Sequence, residues 1–208
     1  MNKLVNTALY LSLITIIYNI AEGSFSIFFG LEDETLALFG FGVDSFVEVI
    51  SGVGILHMVV RMKKSDVNRR DQFERTALKI TGFSFYLLTI GLFVGSILNV
   101  IYDVKPETTL VGIIVSAISI FTMFYLMNAK FKIGKKLNSD AIIADANCTK
   151  TCFYLSFILL ASSGAYELLH ISYIDIAGSL GIAFFAYKEG KESFDKASSE
   201  TLACNCHD

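Results

Sequence analysis

Asp44 and Glu48 stand four residues apart in the stretch Gly40-Phe41-Gly42-Val43-Asp44-Ser45-Phe46-Val47-Glu48-Val49-Ile50-Ser51-Gly52. On a helix they occupy one face, one turn apart. The stretch lies inside an apolar run from Leu36 to Val60, long enough to cross a bilayer. A carboxylate at mid-membrane costs ~2.5–3.5 kcal/mol on insertion scales, so two on one face need a compensating function. A divalent cation supplies it by letting both stay ionised as ligands. The competing account places the acids near the interface, or keeps them protonated and bonded to a neighbouring helix.

A second polar stripe repeats the spacing. Asp145, Cys148, Cys152 and Ser156 follow i, i+3, i+7, i+11 along one side of a helix. Cys148 and Cys152 are again four apart. Two helices that each offer such a pair can close a four-ligand cage, and two thiolates with two carboxylates suit zinc, cadmium or cobalt better than magnesium or calcium. Taken singly, each cysteine also reads as a small buried hydrophobe. Asn147 and Thr151 lie to one side of the stripe as weaker candidates, Asn147 as a proton-handling or outer partner of the site, and the Lys150 stem can carry its charge outward. Glu22, deep in the first apolar segment, is a candidate proton carrier or outer partner of the site. Asn19 and Asn99 read as interhelical hydrogen-bonding residues. Cys204, Cys206 and His207 could hold a soft metal at the chain end, against the alternative of a disordered terminus. His57 and His170 sit near segment ends and read as interfacial.

The elements that must position these groups are membrane helices. Of 208 residues 53% are hydrophobic and 18% charged, too apolar for an ordinary soluble domain. With no tryptophan and one proline, an interfacial aromatic belt falls to tyrosine and phenylalanine. Six apolar segments appear, about Leu4–Phe29, Leu36–Val60, Ala77–Ile101, Leu110–Met127, Ala141–Leu169 and Ile171–Tyr187. The first lacks a signal-peptide cleavage site and reads as a retained helix. Arg61 to Arg75, Lys130 to Lys136 and the tail from Lys188 carry most of the basic residues, while the alternate links are acidic or nearly free of them. Basic residues in every second loop put those loops and both termini in the cytoplasm. That pattern accounts for the basic loop without nucleic acid. No Gly-rich phosphate loop, His-Glu-x-x-His or Gly-x-Ser-x-Gly motif is present, so no enzyme and no organic cofactor is expected. Glycines within the segments read as close-packing positions.

Gly42-x-Asp44-Ser45-x-x-Glu48-x-x-Ser51, paired with Ser139-x-Ala141-x-x-Ala144-Asp145-Ala146, resembles the cation diffusion facilitator (cation efflux) family. Glu22-Gly23-Ser24-Phe25-Ser26-Ile27 is similar to the segment preceding that family's site, and Tyr173–Ala177 through Glu189-Gly190-x-Glu192-Ser193 resembles its sixth helix and exit. The resemblance covers about Ile20 to Phe194. It implies an all-α membrane protein with a six-helix cation-efflux-like bundle, a metal site on the second and fifth helices, and a homodimer. Two features depart from the family pattern: Cys148-x-x-x-Cys152 replaces His-x-x-x-Asp, and with about twenty residues after the sixth segment the family's usual cytoplasmic domain is not expected here.

The expected organisation is a transmembrane unit over residues 1–190 and a short Cys-x-Cys-His tail over 191–208. The expected function is export of zinc, cadmium or cobalt by proton antiport, with metal ligands Asp44, Glu48, Asp145, Cys148 and Cys152. The partners would be metal ions, protons and the lipid bilayer. The alternative is a non-transporting membrane protein that binds metal as a sensor or modulates a partner carrier.

Overall fold

The computed structural model describes residues 2–64 and 72–199, which form six helices and no strand. They are α1 (Asn2–Glu32), α2 (Leu36–Lys64), α3 (Gln72–Tyr102), α4 (Leu110–Leu137), α5 (Asp140–Leu169) and α6 (Tyr173–Ser198). Continuous helix over these lengths follows from the sequence: the one proline, Pro106, lies in the α3–α4 link, so none interrupts a ladder. Four links turn on a non-glycine residue in the left-handed region: Glu34, Asp103, Asn138 and His170. Asn138 ends α4 this way, and one residue later the Ser139 side chain accepts from the Ile142 N–H and starts α5. In the α1–α2 turn, burial together with nearby Glu32 and Glu107 pushes the Asp33 carboxyl above its ordinary value.

Five helices are long and apolar enough to cross a membrane. The chain thus has the features of a multi-pass membrane protein. α6 falls short of that composition because its second half carries Lys188, Glu189, Lys191, Glu192, Asp195 and Lys196. It also continues unbroken to Ser198, past the expected boundary at 190. An i,i+4 pair within α6, Glu192–Lys196 at 2.7 Å, bridges one turn of this extension, and Arg75 of α3, donating to the Ala197 carbonyl at 3.1 Å, ties it to the bundle.

Polarity is distributed inside out. On α4 the exposed face runs Leu110, Ile114, Ile118, Phe121, Tyr125, while Ser116, Ser119 and Lys130 are buried. A large apolar face turned outward in this register is what lipid contact requires. The helices pair chiefly as α1 with α2, α3 with α6 and α4 with α5. Small residues set the closest approaches: a Cβ at Gly42 would lie 2.7 Å from the Ile27 nitrogen of α1, and one at Gly82 of α3 would lie 3.0 Å from the Gly190 carbonyl of α6. The main apolar core, including Phe41, Leu92, Leu155, Leu159 and Ile182, joins α2, α3, α5 and α6. It packs beside the polar stripes and holds them in register.

Candidate metal centre

Glu48 and Cys152 meet. The Cys152 thiol donates to Glu48 Oε1, bringing together residues 104 apart in the chain on α2 and α5. The other carboxylate oxygen, Oε2, accepts from the Asn19 amide of α1 at 3.0 Å. Beside them lies a cavity of about 40 Å³, whose wall includes Asn19, Glu48, Asp145, Cys148, Cys152 and Glu189. A space above ~10–15 Å³ admits a water molecule, so this one has room for an ion with part of its hydration shell.

The other expected ligands have different surroundings. Asp44 is buried one turn from Glu48, with its Oδ1 lacking a hydrogen-bond partner among the described residues, and it does not line the cavity. Asp145 is engaged by a cation already within the protein: Lys130 Nζ of α4 lies 2.8 Å from its Oδ1 and 2.9 Å from Thr149 Oγ1. Both charged residues are buried, so this is an internal ion pair. The Cys148 sulfur accepts from Lys196 of α6 at 3.6 Å. Among the described residues no three His, Cys, Asp or Glu side chains are gathered around one point as a bound metal would hold them. Asn147 is half-buried, and Lys150 is exposed over the Tyr154 ring at 5.7 Å. Cys204, Cys206 and His207 lie outside the described residues.

Glu22 is buried between α1 and α2, accepting from Tyr18 at 2.9 Å and from Ser45 at 3.1 Å. Ser45 follows Asp44 in the chain, so Glu22 joins the polar interior without touching Glu48. On α5, the Ser156 hydroxyl donates to Ser119 of α4 at 2.9 Å and extends the stripe toward the other end of the bundle.

Three cavity or charge-pair residues were not singled out as ligands from the sequence. Glu189 reaches the cavity from α6 and accepts from Thr151 at 2.8 Å. Lys130, counted among the basic residues of a loop, belongs to α4 and points into the bundle. Asn19 contacts the central carboxylate. The available signal was helical phase: Lys130 shares a face with the buried Met123 and Leu126, at i−7 and i−4.

No family model and no curated protein matches the chain.

Proposed function

We propose that this chain is a secondary carrier of the cation diffusion facilitator type. It exports a divalent transition metal, zinc foremost and cadmium or cobalt as alternatives, from the cytoplasm in exchange for protons. The observation that carries this reading is the Glu48–Cys152 pair, a carboxylate and a thiol from two helices on the wall of an internal cavity. A hard and a soft donor together suit a borderline divalent ion. The thiol hydrogen here bonds to the carboxylate, so a metal taking both as ligands must release that proton. Alternating exposure of the pair to the two sides then exchanges metal for proton. Low pH outside favours unloading, and neutral cytoplasmic pH favours loading.

In this reading all six helices span the membrane and both termini are cytoplasmic. At 1.5 Å per residue, α6 is about 39 Å long, sufficient to cross. It follows α5 through a short turn, and its buried Asp175 bonds the α2 N-terminus through the Leu36 and Ala37 amides at 2.9 and 3.3 Å. Asp175 is then accommodated within the protein rather than in lipid. The working unit is a homodimer.

The test is flux. Purified protein in liposomes, with a metal-sensitive dye and a pH gradient, should move zinc and protons in opposite directions, and Glu48→Gln should stop both. Metal binding without flux would leave a membrane metal-binding protein and end the carrier reading. Single cysteines placed at positions 65–71 should react with an impermeant reagent only from the cytoplasmic side.

A further inference from the structure

Two buried oxygens on the wall of the cavity lack a hydrogen-bond partner among the described residues: Asn19 Oδ1 of α1 and Thr81 Oγ1 of α3. Asn19 is 1% exposed, so bulk water does not compensate its oxygen. The orientation of its amide follows from its neighbour. A carboxylate that already receives the Cys152 thiol accepts a further N–H readily, whereas an amide oxygen turned toward it would oppose like partial charges. The nitrogen therefore faces Glu48 Oε2 at 3.0 Å, and the oxygen is the atom left over. Glu48 sits near the middle of α2 and Asn19 near the middle of α1, so both lie at the same depth in the bundle. An unpaired acceptor on a residue that bonds a carboxylate and lines a cavity has the wrong sign for a second anion and the right sign for a cation.

We propose that Asn19 is a metal-binding and specificity-determining residue. Its Oδ1 contributes a neutral oxygen from α1 to the cation that Glu48 and Cys152 hold. The site then draws on three helices, with one charged oxygen, one neutral oxygen and one sulfur. Thr81 Oγ1, on the α3 wall, accepts from a water that the ion carries. This ligand set differs from a cage built from two pairs on α2 and α5: Cys148 is engaged by Lys196, and Asp44 stays outside the cavity. The inference rests on the metal-carrier reading and adds the residue that balances hard against soft ions. Replacing the amide oxygen with hydrocarbon leaves a softer site, because sulfur becomes a larger share of the donors. Replacing it with a carboxylate makes the site harder.

The experiment is calorimetric titration of the purified full-length protein with zinc and, separately, with cadmium. Wild type, Asn19→Leu, Asn19→Asp and Glu48→Gln are compared, with folding checked by thermal melting and size-exclusion chromatography. Asn19→Leu should weaken zinc about ten- to a hundredfold and cadmium less, shifting the affinity ratio toward cadmium. Asn19→Asp should shift the ratio the other way. If Asn19→Leu does not fold, the near-isosteric Asn19→Asp decides alone. Equal weakening of both metals, with the ratio unmoved in every folded variant, would mean that Asn19 only orients Glu48, and would overturn the inference while the metal reading stands. If wild type binds neither metal, or if Glu48→Gln binds as wild type does, the metal reading fails and the inference falls with it.

Discussion

Glu48 and Asp145 are both buried or nearly buried carboxylates on the wall of one cavity, yet the bundle satisfies them in opposite ways. Asp145 has a permanent counter-ion, the Lys130 ammonium at 2.8 Å, with Thr149 bonded to the same nitrogen. Glu48 is bonded by a thiol and an amide, neither of which carries a positive charge. The difference lies in the charge of the donor that a neighbouring helix brings: α4 brings a lysine to Asp145, and α1 brings an asparagine to Glu48. A carboxylate with a tethered cation is a structural element. One bonded by neutral donors at a cavity remains open to a mobile cation.

The largest effect should come from breaking the ion pair. Lys130→Met leaves Asp145 without its buried partner and should cost about 3–5 kcal/mol of stability, read by denaturant or thermal unfolding in detergent. Adding Asp145→Leu to the same protein should recover most of that loss. Failure of the second change to rescue the first would mean that the two charges are not coupled.

Glu48→Gln tests the other side of the contrast. No fixed ammonium depends on this acid, so stability should change by less than ~1 kcal/mol, while zinc affinity should fall about a hundredfold. Equal losses of stability from Glu48→Gln and from Lys130→Met would erase the distinction.

Asp44→Asn removes an ionisable carboxyl one turn from Glu48 without altering the cavity wall. Zinc binding should weaken about tenfold through the lost field, and it should depend less steeply on pH. The sign follows from competition: protons displace metal from carboxylate and thiol, so affinity falls as pH falls, and one fewer acid makes that fall shallower. Titration at three pH values reads both quantities.

Cys152→Asp should have the smallest effect on total affinity and a clear effect on choice. Exchanging sulfur for oxygen should move the cadmium-to-zinc affinity ratio toward zinc by roughly fivefold. An unchanged ratio would remove Cys152 from the ligand set and leave its bond to Glu48 as a helix-to-helix contact.

The sequence by itself determined the elements and the stripes. Apolar runs interrupted by short polar links dictated six helices, because helix length and hydropathy are local properties of the chain. Helical periodicity likewise put Asp44 with Glu48, and Asp145 with Cys148 and Cys152, since side chains four apart share a face whatever surrounds them. The sequence also paired the α2 stripe with the α5 stripe; tertiary structure alone decided which of their residues touch and what else reaches them. The Glu48–Cys152 contact spans 104 residues of sequence, and Asn19 reaches Glu48 from 29 residues away. Neither separation follows from a repeat. Lys130 shows the limit most clearly: it looked like one more basic residue after an apolar run, and α4 continues through it to Leu137 with that position facing inward. The physical reason is that helix phase is written locally, whereas the meeting of two phases depends on where small residues such as Gly42, Gly82 and Gly190 let the helices approach.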